Sequence, residues 1–210
     1  MSVAEQLGRR FARLVTVAVT REPRLWRVLR PALRTQFDRL APRWDAMRGP
    51  DALAPYEAAL ERVEGWPHRA LDVGTGTGAG AEAIARRFAD AEVVGLDVAP
   101  AMVEHARRKL ADDVAGRVRF ELGDASRLPY PDSSFELVAH ANMIPFYDEL
   151  ARVLAPGGYA IFAFSSGPRT PIYVPPERLR DELERRGFAD FAEISAGSGT
   201  AVVARKRETS

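Results

Sequence analysis

Apolar residues recur along this chain in two regimes. Over roughly the first third they return at helical intervals, and beyond residue 70 they come in short runs bounded by glycine, proline and aspartate. Val3, Leu7, Phe11, Leu14, Val15 and Ala18 form one stripe at helical period, with Arg9, Arg10 and Arg13 off it. Glu22-Pro23 ends that helix, and Pro23 can open the next. Leu33, Phe37, Leu40 and Trp44 form a second stripe, interrupted by Pro42. A third helix is predicted over 51–63, capped by Asp51, with Tyr56, Leu60 and Val63 inward and Gly65 as its stop.

From residue 70 the pattern changes to alternation. Runs at 70–73, 92–96, 118–122, 135–139 and 159–164 predict strands, with helices over 80–88, 100–110, 147–154 and 175–186 between or after them. Two further strands are expected near 191–195 and 200–204, joined through Gly197-Ser198-Gly199. That link is too short for a crossover, so the final pair must be antiparallel. Strand–helix alternation predicts a parallel sheet with helices on both faces. The chain thus divides into an N-terminal helical segment, 1–66, and an α/β body, 67–210, with no internal repeat.

Composition narrows the chemistry. The 210 residues carry 30 Lys and Arg against 29 Asp and Glu, a net charge of +1 that argues against coating nucleic acid by bulk electrostatics. Cys is absent, which removes disulfides, thiolate nucleophiles and Cys-ligated metals. His68, His105 and His140 are too dispersed for a compact metal site, so no metal is expected. The longest aliphatic stretch, 14–19, is far short of the roughly 20 residues of a membrane span. Arg21 and Glu22 follow it at once, which fits a signal peptide poorly. A soluble cytoplasmic protein is the expectation. The near-neutral total hides a split: residues 1–48 hold eleven Arg and four acids, net +7, leaving 19 bases and 25 acids for the rest.

Ligands of such sheets bind at the carboxyl ends of the strands. After the first strand stands Asp72-Val-Gly74-Thr-Gly76-Thr-Gly78-Ala-Gly80, whose glycines let backbone approach a ligand closely. It opens a helix N-terminus, which favours negative charge, and Gly74-x-Gly76-x-x-Ala79 satisfies a loose dinucleotide pattern. Asp97, after the second strand, is placed to accept hydrogen bonds from both hydroxyls of a ribose; the competing reading is a cap for the helix at Pro100, which its offset disfavours. Gly123-Asp124-Ala125 follows the third strand, with an Asx turn as its plain alternative.

With these residues in place, the stretch 70–158 resembles the class I S-adenosylmethionine-dependent methyltransferases, of the group that includes quinone-biosynthesis and small-molecule enzymes. Four segments match in order and spacing: Leu71-Asp-Val-Gly-Thr-Gly-Thr-Gly78, Gly95-Leu-Asp-Val-Ala-Pro-Ala-Met102, the run 123–135 opening Gly-Asp-Ala, and Glu149-Leu-Ala-Arg-Val-Leu-Ala-Pro-Gly-Gly158. The resemblance implies a Rossmann-like, doubly wound, seven-stranded mostly parallel sheet of order 3-2-1-4-5-7-6, with strand seven antiparallel. It implies that Asp72 orients the glycine loop or meets the methionine amine, and that Gly74, Thr75, Gly76 and Gly78 line the cofactor. Asp97 would hold the ribose, Val98 and Met102 would lie against adenine, Asp124 would take the adenine amino group, and Ala125 would offer its backbone N–H. S-adenosylmethionine is cationic and lacks phosphates, so a site ringed by Asp72, Asp97 and Asp124 suits it, whereas a pyrophosphate would be repelled. S-adenosylhomocysteine is then the product. Ala99 stands where the family often has Ser, so the next helix lacks a hydroxyl cap, and the substrate-covering insertion common after the fifth strand is missing.

Methyl transfer rests mainly on alignment of the nucleophile, and a poorly acidic nucleophile also needs a base. His140, at the end of the fourth strand, is the candidate base, with a buried structural histidine as its alternative. Asn142, Tyr147 and Tyr173 are the candidate substrate contacts. Asn142-Met-Ile-Pro145-Phe146 matches the nucleic-acid amino-methyltransferase signature poorly, so no nucleic-acid partner is expected. The N-terminal helices are the natural lid, with Phe37, Trp44 and Tyr56 closing over a small-molecule substrate that can be apolar and the basic face of residues 9–34 outermost. That face suits peripheral contact with anionic lipid, a homo-oligomer contact, or plain solvation. Small-molecule or lipid methylation leads the functional readings. A cofactor-binding methyltransferase fold without robust catalysis and a nicotinamide-dependent oxidoreductase are the alternatives.

Overall fold

The computed structural model describes residues 3–208. Seven strands form one sheet: β1 (Arg69–Val73), β2 (Glu92–Asp97), β3 (Val118–Leu122), β4 (Phe135–Ala141), β5 (Leu154–Phe164), β6 (Phe188–Ala196) and β7 (Gly199–Lys206). Their order is β3-β2-β1-β4-β5-β7-β6, as the resemblance implies. The pairs among the first five strands are parallel, and β7 runs antiparallel to both β5 and β6.

Strand residues alternate between two cores because successive side chains leave opposite faces of the sheet. Ala70, Val93, Leu137 and Ile161 face a core built with α4 (Ala54–Leu60), α5 (Ala79–Arg87) and α6 (Pro100–Lys109). Leu71, Val94, Val138 and Phe162 face the other core, shared by α7 (Tyr147–Val153), α8 (Pro176–Glu184) and the helices α1 (Val3–Arg21) and α2 (Trp26–Leu40). A 3-10 turn at Pro23–Leu25 joins α1 to α2, and another at Ala41–Arg43 leads into α3 (Trp44–Met47). Residues 123–134 between β3 and β4 contain no helix. There α2 supplies the cover, and its Trp26 and Leu33 share a core with Leu96, Ala125 and Leu128.

Several local expectations change. The helix expected over 51–63 is shorter: Leu53 is its N-cap, while Asp51 contributes only a backbone carbonyl, accepting from Ala54 N–H at 3.1 Å. β5 starts at Leu154 and runs through Pro156-Gly157-Gly158, where its register against β4 shifts between Phe135 and Leu137. The first helix is rotated from its simplest apolar stripe. It buries Ala12, Val15, Thr16 and Val19, whereas Leu7 and Leu14 are 60% and 70% exposed; the Val3 side chain lies outside the described residues. The basic face is divided as well. Arg9 donates to the Arg169 carbonyl at 3.0 Å, and Arg13 donates to the carbonyls of Pro168 and Thr170 at 2.6 and 3.2 Å, so these two hold α1 to the body instead of facing outward. Among the described residues no helix is long and apolar enough to cross a membrane.

Candidate cofactor and substrate site

The carboxyl ends of β1, β2 and β3 bring Asp72, Asp97 and Asp124 to one rim, each with a different task. Asp72 is 1% exposed and lies behind the glycine loop, where Tyr56 Oη donates to one oxygen at 2.8 Å and Thr75 Oγ1 to the other at 2.7 Å. Burial raises its pKa, while the bonds from Thr75, Tyr56 and the Ala81 N–H pull it back. Of the two roles implied for Asp72, this geometry supplies the first: the carboxylate tethers the loop. Tyr56 is correspondingly not a lid residue. It is fully buried beneath the loop, on α4, which packs on the body.

The loop takes left-handed φ at Gly74, Gly76 and Gly78, and at the first and last of these a Cβ would also clash. Gly74 has φ of +71°, and a Cβ there would lie 2.9 Å from Met143 Sδ. Gly78 has φ of +92°, and its Cβ would collide with Phe120, so this position faces the core behind the loop. Over Gly76 lies the Trp44 indole of α3. Thr77, fully buried, donates to Asp45 at 2.5 Å, and Asp45 also accepts from Lys109 at 2.7 Å.

Asp97 is 8% exposed at the end of β2. One oxygen accepts from Gly76 N–H and the other from Ala99 N–H, both at 2.9 Å. As its offset suggests, Asp97 is not the cap of α6, whose N-cap is Ala99; its local backbone bond is that of an Asx turn. Each carboxylate oxygen accepts more than one hydrogen bond, so two neighbouring hydroxyls can still be received. Burial, helped by the nearby charge of Asp72, pushes Asp97 up to about 6 against the opposing backbone N–H bonds. The α6 cap comes from far away: Asp38 of α2 accepts from Ala101 N–H at 3.0 Å, supplying what Ala99 lacks.

Asp124 accepts from Trp26 Nε1 at 2.7 Å and from Ser126 N–H at 2.9 Å, and it pairs with Arg30. Burial would raise its pKa, but these donors hold it below the ordinary carboxylate range. The Asx-turn reading is thus realised, and α2 grips the same carboxylate. Met102 is 1% exposed and clusters with Ala41, Ala99, Phe37 and Trp44, Val98 is half-buried on the opposite core, and Ala125 is buried.

The remaining candidates are not one constellation. His140 is 3% exposed on β4, stacked on Phe162 with centroids 4.8 Å apart, and its Nδ1 has no partner. Burial lowers its pKa to about 4, so the imidazole is neutral near pH 7. Asn142 adopts φ of +52° and accepts from Ser165 N–H at 2.9 Å, tying the ends of β4 and β5 together. Tyr147 sits in the core against Phe162 and not at the mouth, with its hydroxyl unpartnered. Tyr173 is half-buried edge-on to Phe164 at 4.9 Å. Sequence reasoning missed Trp26, Arg30, Asp38 and Asp45; the bare cap at Ala99 was the one local signal that a distant acid was needed.

The residues present fit S-adenosylmethionine. Asp97 retains acceptor capacity for a diol beside the glycine loop, whose Gly74 and Thr75 N–H groups are held by the Leu96 carbonyl at 2.8 and 3.1 Å. Comparisons with known proteins agree. Residues 70–158 match a family described as a methyltransferase domain. The chain is 37% identical over 154 residues to demethylmenaquinone methyltransferase of Deinococcus radiodurans, covering 68% of this chain and 64% of that one. It is 38% identical over 154 residues to malonyl-[acyl-carrier protein] O-methyltransferase of Halorhodospira halophila, covering 67% and 50%. The chain thus spans between half and two thirds of these relatives. Among solved structures, a SAM-dependent methyltransferase from Aquifex aeolicus aligns with a TM-score of 0.66 at 20% identity, over 79% of this chain and 97% of that one.

Proposed function

We propose that this chain, whose residues 70–158 match a methyltransferase domain, is a class I S-adenosylmethionine-dependent methyltransferase that transfers a methyl group from that cofactor to a small apolar acceptor of lipid or quinone type. The cofactor, when bound, supplies an electrophilic sulfonium methyl. Asp97 would hold its ribose, the backbone of residues 74–76 and Thr75 would line it, and Val98, Met102 and Ala125 would bound the adenine, with Asp124 available once Arg30 and Trp26 yield.

One observation carries the acceptor class. The inner faces of α1 and α2 merge with the ends of β4 and β5 and the segment after β5 into a single apolar core, whose half-buried margin includes Phe11, Phe37, Met143 and Tyr173. A polar acceptor brought there would lose its hydration without replacement. These helices stand where the missing insertion would be, and we assign residues 1–48 as the substrate cover. His140 at about 4 is a poor proton acceptor near neutrality. His140 therefore serves better as a neutral wall beneath the site than as the base. Relatives named for demethylmenaquinone and fatty-acid substrates support an apolar acceptor. The protein would then work in the cytoplasm, at a membrane surface or on a free metabolite, with no role for nucleic acid.

A second reading, cofactor binding without robust catalysis, is favoured by the closed grip of Trp26 and Arg30 on Asp124. The nicotinamide reading gives way to the methyltransferase family match. Calorimetry with S-adenosylmethionine, S-adenosylhomocysteine and NADH, followed by labelled-methyl turnover on medium-chain fatty acids, naphthols and short hydrophilic acids, tests the proposal. Binding of the first two ligands only, with transfer confined to apolar acceptors, is expected. Binding without turnover on any acceptor would favour the second reading, and preference for hydrophilic acids would overturn the acceptor class.

A further inference from the structure

The inner face of α1 packs into the core and onto the segment after β5, and its outer face has no partner among the described residues. Leu7, Arg10, Leu14, Val17 and Arg21 recur at i, i+3, i+7, i+10 and i+14, one exposed stripe directly opposite buried Ala12, Val15 and Val19. The stripe continues around the corner into α2 through Arg24, Leu25, Arg27 and Val28. The apolar members are far from covered: Leu14 is 70% exposed and Val28 76%.

The arginines divide by duty. Arg9 and Arg13 hold body carbonyls, Arg30 pairs with Asp124, and Arg34 lies near Asp38. Arg10, Arg21, Arg24 and Arg27 form no ion pair among the described residues, and Glu22 is the one acid between residues 6 and 37. Leucine and valine interleaved with unpaired arginine on one helical face match an interface that is apolar a few ångströms in and negative at its surface. A second copy of this face would bring arginine against arginine, so self-association is disfavoured.

We propose that the outer face of the α1–α2 corner docks on an anionic lipid bilayer. This deepens the functional reading and rests on it in one respect: the helices that meet the lipid are those that cover the acceptor site, so docking places the cover at the source of an apolar acceptor. Leu7, Leu14, Val17, Leu25 and Val28 enter the headgroup–acyl boundary, while Arg10, Arg21, Arg24 and Arg27 meet the phosphates.

Flotation of the full chain with vesicles tests this without any turnover measurement. Wild type should float with vesicles containing phosphatidylglycerol and stay behind with pure phosphatidylcholine, and added salt should weaken the interaction. Arg21→Glu/Arg24→Glu should lower partitioning by about fivefold or more for each arginine removed. Leu14→Ser/Val28→Ser should abolish flotation. Neither pair touches the site, so both variants should keep wild-type melting temperature and S-adenosylmethionine binding. Equal flotation with both lipids, no flotation with either, or indifference to either variant overturns the proposal. So does a wild-type dimer in ultracentrifugation that Leu14→Ser dissolves. Because the readout is lipid association, a failure here leaves methyl transfer standing, and a failure of methyl transfer leaves lipid association measurable.

Discussion

Replacing Tyr56 by Phe removes one oxygen and preserves the ring, so it isolates a single buried hydrogen bond. That hydroxyl lies 2.8 Å from Asp72 Oδ1, and both residues are almost wholly out of contact with solvent. A hydrogen bond to a charged group contributes about 1.5–3 kcal/mol, and here no water can replace it. For a chain of this size each kcal/mol corresponds to about 2–4 °C in melting temperature, so the variant should melt lower by about 3–12 °C. The loss should depend on pH. Burial already raises Asp72 above its ordinary value, which means the folded state binds its proton more tightly than the unfolded state and stability falls as pH rises through that interval. Losing the Tyr56 donor raises Asp72 further and widens the interval. The deficit should be full at neutral pH and shrink on acidification toward the ordinary carboxylate range. Calorimetric melts of wild type and variant from about pH 4.5 to pH 8 measure this. Cofactor affinity should weaken in parallel, since Asp72 also holds Thr75 and so the glycine loop. An unchanged melting temperature, or a deficit equally large at both pH extremes, would refute the assignment of Asp72 as the charged tether of the loop.

Three further outcomes follow from the same geometry. Asp97, pushed up to about 6, should lose its charge on mild acidification, so S-adenosylmethionine affinity measured by calorimetry should fall below that pH by up to about tenfold per unit; Asp97→Asn should bind weakly with a flat profile. Asp38→Ala should cost about 1 kcal/mol by uncapping α6, and adding Ala99→Ser should restore most of it, which thermal melts of the single and double variants check. His140, held near 4 by burial, should show no imidazole titration in NMR spectra between about pH 5 and pH 8, and a midpoint near its ordinary value would restore it as a candidate base.

The order in which these elements could be read from sequence follows the range of the interactions that form them. β3 is found at the expected residues and β1 within one, because central β1 is an apolar run and edge strand β3 alternates Val118, Phe120 and Leu122 with Arg119 and Glu121, signals contained within a few positions. β5 was harder, since its first residues pass through Pro156-Gly157-Gly158, which reads as a stop, yet the register shift against β4 accommodates them. The glycine loop, Asp97 and Gly123-Asp124 were legible because each follows its strand directly. What those carboxylates bind was less so. Trp26 and Arg30 reach Asp124 across separations of 98 and 94 residues, and no local pattern pairs them. The α1 orientation was equally hidden: Leu7, Leu14 and Val17 make as good a stripe as Ala12, Val15 and Val19, and hydrophobicity favours the first set. The fold buries the second set, and in that orientation Arg9 and Arg13 reach the backbone carbonyls after β5. Leaving the larger residues in water has a cost that a monomer in bulk solvent does not recover, and a lipid surface is where it would be recovered.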